Sequence, residues 1–278
     1  MAYQLNLDAD IGASLLGIAH GQSERLCRLL ADAREPASGH HQTRRCLKRL
    51  RALLTLAQPV LGRRGSRRLD RSLAKLGRAL SHARDHTVVL ELLMKLAAEE
   101  ADGTIQKAAA KLIRRLQPAD SGRTNGHDVW TDDGATGRGL LLRKAQRIGR
   151  RIAKASFDNL ALVQMVQSAT VEYRAGQKAF AAAYRTGGAE SFHDLRKRVQ
   201  RHIRHLQLLS AIWPEEMQVR IALAKFIAGQ LGYDHDLALV RRAAAAGMTK
   251  SEAAALDRLC RDRQRAIRST LKPQLARL

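Results

Sequence analysis

Helical periodicity is the feature that most restricts the fold of this chain. Apolar residues recur three or four positions apart, as in Leu47, Leu50, Leu53 and Leu54, and this spacing places them on one side of an α-helix. Prolines are few, and no segment alternates strictly enough to predict a strand. The sequence therefore predicts an all-α protein. The predicted helices cover roughly 13–33, 41–57, 66–82, 84–100, 104–117, 139–155, 158–184, 192–211, 215–231, 234–246 and 250–271.

The chain also divides into two similar halves. A stretch rich in Gly, Asp, Ser and Thr lacks a helical period, and we interpret residues 119–138 as a linker between halves at 1–118 and 139–278. His41 and His193 begin similar basic segments 152 residues apart, and "RDH" at 84–86 and "HDL" at 235–237 recur in the same order. This repeat predicts two small antiparallel bundles related by a pseudo-twofold axis.

The charge of the chain predicts an anionic partner. Lys and Arg number 49 against 26 Asp and Glu, so the formal net charge is +23. Self-repulsion of that size opposes a compact fold unless a polyanion neutralises it.

Part of this charge is arranged along two helices. The segments read "HQTRRCLKRLR" from His41 and "HDLRKRVQRHIR" from His193. At about 100° per residue, the basic residues of each segment share one face and the apolar residues share the other. We call these two basic faces the first ladder, which is His41, Arg44, Arg45, Lys48 and Arg51, and the second ladder, which is His193, Arg196, Lys197 and Arg204.

An ordinary solvated helix face is the alternative interpretation of such a ladder. Solvated faces usually mix acids with bases, because like charges three or four residues apart destabilise a helix by about 0.2–0.5 kcal/mol per pair. No acid occurs across residues 40–57, so the pattern favours a binding face. Further basic stripes occur at 63–71 and 143–151.

Segments from almost the whole chain carry a family resemblance. They are "HQTRRCLKRLRALL" (41–54), "LSHARDHTVVLELL" (80–93), "YRAGQKAF" (173–180), "FHDLRKRVQRHIRHLQLL" (192–209) and "LGYDHDLALV" (231–240). In this order they resemble the CHAD family, the conserved histidine α-helical domain. The resemblance implies two four-helix bundles with pseudo-twofold symmetry, a basic groove between them, and binding of inorganic polyphosphate without catalysis. We expect no cofactor. Phosphate or sulfate would act as mimics of that ligand.

The resemblance also implies which residues bind. Transferred onto this sequence, they are both ladders together with Arg174 and Lys178. Gln200 stands where a lysine is common in the family and Ile203 where a basic residue often stands, so we expect the second ladder to contribute less affinity. Asp85 and Asp236 match recurrent acidic positions, and we expect them to hold an Arg or His or to cap a helix.

Other chemistry finds less support in the sequence. His82 with His86 and His202 with His205 have helical spacing for metal binding, but neither pair has a clear third ligand, and the second pair lies towards the packed side of its helix. No P-loop pattern or nucleophile accompanies the histidines, so we expect no enzyme activity and no metal. Sequence-nonspecific nucleic-acid binding is the main alternative, although aromatic residues for base stacking are only 4% of the chain.

The sequence also carries expectations about location and partners. The N-terminus lacks the basic and long apolar regions of a secretory signal, and no apolar run approaches a membrane span. Three cysteines at helical apolar positions are typical of a reducing compartment. We therefore expect a cytoplasmic protein that makes no membrane contact and associates with polyphosphate granules. The sequence identifies no protein partner.

Overall fold

The computed structural model describes residues 3–32, 36–80, 82–117 and 134–278. The chain is 87% helical and contains no strand within these ranges, so the all-α prediction is confirmed. The helices are α1 (Ile11–Ala31), α2 (Pro36–Leu56), α3 (Gln58–Ala79), α4 (His82–Glu99), α5 (Gly103–Leu116), α6 (Gly134–Ala153), α7 (Leu162–Thr186), α8 (Ala189–Leu209), α9 (Pro214–Gly247) and α10 (Lys250–Arg277).

Two compact units make up the described chain. Unit 1 contains the described residues of Met1–Ser81, Asn125–Lys178 and Lys197–Ala224, and unit 2 those of His82–Thr124, Ala179–Arg196 and Lys225–Leu278. Each unit therefore draws residues from both predicted halves. The division of the sequence at its linker and the pseudo-twofold axis stay predictions, and residues 118–133 lie outside the described ranges.

Unit 1 has its own apolar core. Leucines from α1, α2 and α3 and the stripe Leu141, Ala145, Ile148 and Ile152 of α6 are buried together. Helix α1 packs against α2 and α6, and α3 packs against α2 and α6. The N-terminal segment joins this core, because Leu5 is buried and its backbone N–H donates to the carbonyl of Leu208 at 3.0 Å. The arrangement fixes which side of each helix faces solvent.

Unit 2 has a separate core from α4, α5, α9 and α10. Leu93, Leu112, Leu237 and Leu256 are among its fully buried side chains. Helix α10 begins at a capping box, in which the Thr249 hydroxyl accepts from the Glu252 backbone and the Glu252 side chain accepts from the Thr249 backbone. The segment "TKSE" at 249–252 has the spacing that predicts such a box, and the structure confirms it.

The largest differences from the predicted helices are at α9 and α3. The separate helices predicted at 215–231 and 234–246 are wrong, since α9 is continuous from Pro214 to Gly247. Gly232 costs a helix interior about 1 kcal/mol, and the neighbouring buried residues Leu231 and Asp234 hold the helix together across it. Helix α3 begins at Gln58 rather than near 66 and is interrupted at Gly62, whose φ of 66° suits glycine.

Candidate functional site

The first ladder lies on α2 in unit 1. Its apolar opposite face, which includes Cys46, Leu47 and Leu50, is buried as predicted. His41 and Arg45 are exposed, whereas Arg44, Lys48 and Arg51 are half-buried. The predicted orientation of the helix is therefore confirmed, because packing of the apolar stripe turns the cations outwards.

The second ladder lies on α8, and its residues belong to different units. His193 and Arg196 are in unit 2, and Lys197 and Arg204 are in unit 1. The apolar face of the helix is buried as predicted, at Leu195, Val199, Leu206 and Leu209.

Within unit 1 the two helices that carry the ladders are in contact. The Lys48 Nζ on α2 donates to Gln200 Oε1 on α8 at 2.8 Å. Burial lowers the pKa of Arg204 to about 10, with Tyr3 acting against it and the cations of Arg49 and Arg45 lowering it further. Burial and then Arg45 likewise lower the pKa of Arg49. Three guanidinium groups thus lie close enough to disfavour one another's charge, and a bound anion would relieve that repulsion.

The end of the first ladder is held by an acid. Arg51 Nε lies 2.7 Å from Asp70 Oδ1, and Arg51 Nη2 lies 3.1 Å from Asp70 Oδ2. The Asp70 carboxylate on α3 therefore binds the guanidinium in bidentate fashion. Both side chains are about one-third exposed. Asp70 therefore compensates the charge of Arg51 at this end of the first ladder.

A second acid, Glu172, pairs with two arginines of α8 that lie outside the predicted site. Glu172 on α7 accepts from Arg198 Nη1 at 2.9 Å and from Arg201 Nη1 at 2.8 Å. Burial acts to raise the pKa of Glu172, but Arg201 and Arg198 outweigh it and hold the pKa below its usual value. Two basic residues of α8, Arg198 and Arg201, are thus paired with α7, whereas Arg204 lies near Arg45 and Arg49 of α2.

The two departures from the family pattern have distinct environments. Gln200 holds Lys48, while Ile203 is 8% exposed and faces the packed side of α8. Their predicted effect on affinity stays a prediction. On α7, Arg174 and Lys178 are exposed.

In unit 2 the start of α8 lies against α9. The His193 and His235 rings are stacked, with centroids 4.5 Å apart and planes at 22°. A Cβ added to Gly232 would lie 3.8 Å from Arg196 Nη2, so Arg196 runs alongside α9 at this glycine. The sequence analysis missed His235 as a neighbour of His193. Its position in the "LGYDHDLALV" segment is the signal that could have found it.

Asp234, in the same segment, binds an arginine, which is the role that we predict for Asp236. Asp234 is buried and accepts from Arg268 Nε at 2.7 Å and Nη2 at 3.1 Å. Arg268 also donates to the Gly187 carbonyl at 2.8 Å and lies over the Phe192 ring. The roles of Asp236 and Asp85 stay predictions, and the Asp85 side chain lies outside the described residues.

The histidines considered for metal binding are packed. His205 Nε2 donates to the Ala52 carbonyl at 3.1 Å, and the His202 ring centroid is 5.5 Å from that of Tyr173. Burial lowers the pKa of each histidine to about 4. The predicted placement on the packed side is confirmed. Among the described residues no group of three or more His, Cys, Asp or Glu could hold a metal ion, and the His82 side chain lies outside them.

We expect the neutral His205 to make the folded state sensitive to acid. Its pKa is about 4 when folded and about 6.5 when unfolded, so the unfolded chain takes up the proton first as the pH falls. Stability is full above pH 6.5 and decreases below it, by on the order of 2 kcal/mol at pH 5 for this one group. Urea unfolding at pH 7 and pH 5 measures the loss.

The variant His205→Gln isolates this effect. A glutamine amide can also donate to the Ala52 carbonyl but does not titrate, so the difference between pH 7 and pH 5 should shrink. An unchanged pH dependence in the variant would assign the acid sensitivity to other groups.

These features define an all-helical protein that gathers cations where its helices pack. The chain belongs to the CHAD domain family, whose model matches residues 18–245. A solved structure, PptA from Streptomyces chartreusis, has a similar fold, with a TM-score of 0.70 and 19% sequence identity over 96% of this chain and 99% of that one. No curated protein matches the chain. Within the described residues, no helix combines the length and apolarity needed to cross a membrane.

Proposed function

We propose that this protein binds inorganic polyphosphate through the basic residues of α2 and α8, without catalysing a reaction on it. The observation that carries the proposal is the hydrogen bond from Lys48 on α2 to Gln200 on α8, beside which the charge of Arg45 lowers the pKa of Arg204. Guanidinium groups bind phosphate oxygens in bidentate fashion, and lysine adds a mobile point charge. Membership of the CHAD domain family supports the same ligand.

The whole proposed site is larger than this cluster. It includes His41, Arg44, Arg51 and Lys197 in unit 1 and His193 and Arg196 in unit 2, with Arg174 and Lys178 on α7. The assignment of both ladders to one basic groove rests on the sequence repeat and the family resemblance. The histidines act in it as hydrogen-bond donors to phosphate oxygens.

Polyphosphate fits the cluster better than nucleic acid does. A nucleic-acid chain presents bases as well as phosphates, and single-strand binders usually stack those bases on aromatic side chains. The ladders consist of Arg, Lys and His, and Tyr3, the aromatic residue beside Arg204, is buried. Such a site recognises phosphate but has little with which to contact bases.

With this ligand, we expect a cytoplasmic location at polyphosphate-rich bodies.

A competition titration tests the proposal. We expect long-chain polyphosphate to bind more tightly than single- or double-stranded DNA of matched charge at physiological salt. Because each phosphate contact releases condensed counterions, log Kd should rise linearly with log salt, by roughly 0.7–0.9 per contact if polyphosphate behaves as nucleic acids do. Fluorescence anisotropy with labelled ligands measures both quantities. Tighter binding to DNA would favour the nucleic-acid alternative.

A further inference from the structure

A second cationic surface lies on α3 and α6 of unit 1, and it includes none of the ladder residues. Its residues are Arg64, Arg68 and Arg71 on α3 and Lys144, Arg147 and Arg151 on α6, and all six are exposed. We call it the α3–α6 surface. The helices α3 and α6 pack against each other, so the cations belong to neighbouring helices of one core.

Packing contacts show which flank of α3 these cations occupy. Asp70 contacts Arg51 of α2, and a Cβ added to Gly77 would lie 3.8 Å from Leu47 Cδ1, so Asp70 and Gly77 mark the side of α3 that faces α2. At about 100° per residue, Arg64, Arg68 and Arg71 lie on the other side of the helix. They lie on the face opposite the buried Leu69, Leu73 and Leu76 and therefore point to solvent.

The side of α6 on which its cations lie can be located in the same way. A Cβ added to Gly149 would lie 3.6 Å from Ser23 Cβ, so Gly149 marks the side of α6 that faces α1. Lys144, Arg147 and Arg151 lie within about 60° of one another on the opposite flank. Exposed cations thus lie on two helices that pack against each other.

Neither helix supplies an acid to this surface. Asp70 is the one acid in the sequence of α3 and α6, and it is engaged by Arg51 on the α2 side. Like charges at helical spacing repel one another, so the surface favours an anion. Its cations are mostly arginine, which suits phosphate oxygens, and neither helix contains an aromatic residue that could stack on a base.

We propose that the α3–α6 surface binds a further stretch of the same polyphosphate chain that occupies the first ladder, so that the protein prefers long chains. This inference rests on the proposed function. The ladder and the surface lie on packed helices, since α2 contacts α3. A chain held at the ladder meets the second surface at high effective concentration, which raises affinity without a new kind of contact.

The test compares chain lengths in two matched variants. The surface variant is Arg68→Gln, Arg147→Gln and Arg151→Gln, and the control variant is Arg114→Gln, Arg242→Gln and Arg258→Gln, which removes the same charge from exposed positions of unit 2. The probes are labelled polyphosphates of about 10 and about 100 phosphates, together with duplex DNA. Circular dichroism confirms that each variant is folded.

We expect the surface variant to bind the short chain as the wild type does and to lose about 10-fold in affinity for the long chain. The control variant should keep the long-chain preference. Equal losses in the two variants, or a loss for duplex DNA alone, would overturn the inference. If the wild type binds the short chain but gains nothing from the long one, the inference fails and the proposed function stands. If it binds neither chain, the proposed function itself fails.

Discussion

Reversing the charges of Lys48 and Arg45 together, as Lys48→Glu and Arg45→Glu, is expected to weaken polyphosphate binding by about 100-fold at physiological salt. A hydrogen bond to a charged group contributes about 1.5 kcal/mol or more, which corresponds to about tenfold in affinity for each residue. Both residues lie in the cluster near Gln200 and Arg204. Anisotropy titration with labelled polyphosphate measures the change.

The control for this variant must change the net charge equally without breaking an internal contact. Lys107→Glu with Arg114→Glu serves, because both residues are exposed on α5 of unit 2. Arg263 would be a poor choice, since its guanidinium contacts Glu100 and donates to the Tyr233 hydroxyl at 2.6 Å. We expect the α5 variant to lose only a few-fold in affinity. Equal losses in the two variants would indicate diffuse attraction rather than a defined site.

Replacing Arg268 with leucine is expected to lower the free energy of unfolding by about 3–5 kcal/mol. The substitution leaves the Asp234 carboxylate, which is 3% exposed, without its bidentate partner, and an uncompensated buried charge is strongly destabilising. It also removes the hydrogen bond to the Gly187 carbonyl and the contact with the Phe192 ring. Urea denaturation measures the loss.

Two further variants separate charge burial from the loss of packing. Arg265→Leu removes a pair to Asp262 on the same helix, but both side chains are mostly exposed, so the change should be below about 1 kcal/mol. Adding Asp234→Leu to Arg268→Leu removes the stranded carboxylate and should recover much of the stability. Similar losses for Arg265→Leu and Arg268→Leu, or no recovery in the double variant, would contradict this account.

The outward face of each ladder helix could be predicted because it depends on local spacing. Once Leu47, Leu50 and their neighbours are assigned to the core, the orientation of Arg45 and Lys48 follows from helix geometry. The capping box at Thr249 was predictable for the same reason, since its residues are three positions apart. The break in α9 was wrongly predicted, because glycine weakens a helix by less than tertiary packing can restore.

The partners of individual cations could not be predicted, because they come from other helices. Arg51 and Arg201 look equivalent to their neighbours in the sequence, yet Asp70 binds the first and Glu172 binds the second. The stacking of His193 on His235 likewise depends on how α8 meets α9. Sequence spacing therefore locates the basic faces, while the positions of acids on neighbouring helices decide which cations form internal ion pairs.

The contact between Lys48 and Gln200 restrains a cation by a different means from the contact between Arg51 and Asp70. A carboxylate immobilises its partner and cancels its charge, whereas an amide oxygen immobilises the ammonium and leaves the charge intact. Much of the rotational entropy of the long lysine side chain is then lost on folding rather than on ligand capture. Gln200 stands where a lysine is common in the family. The site therefore has one positive charge fewer, but the ammonium of Lys48 is held in place before the ligand binds.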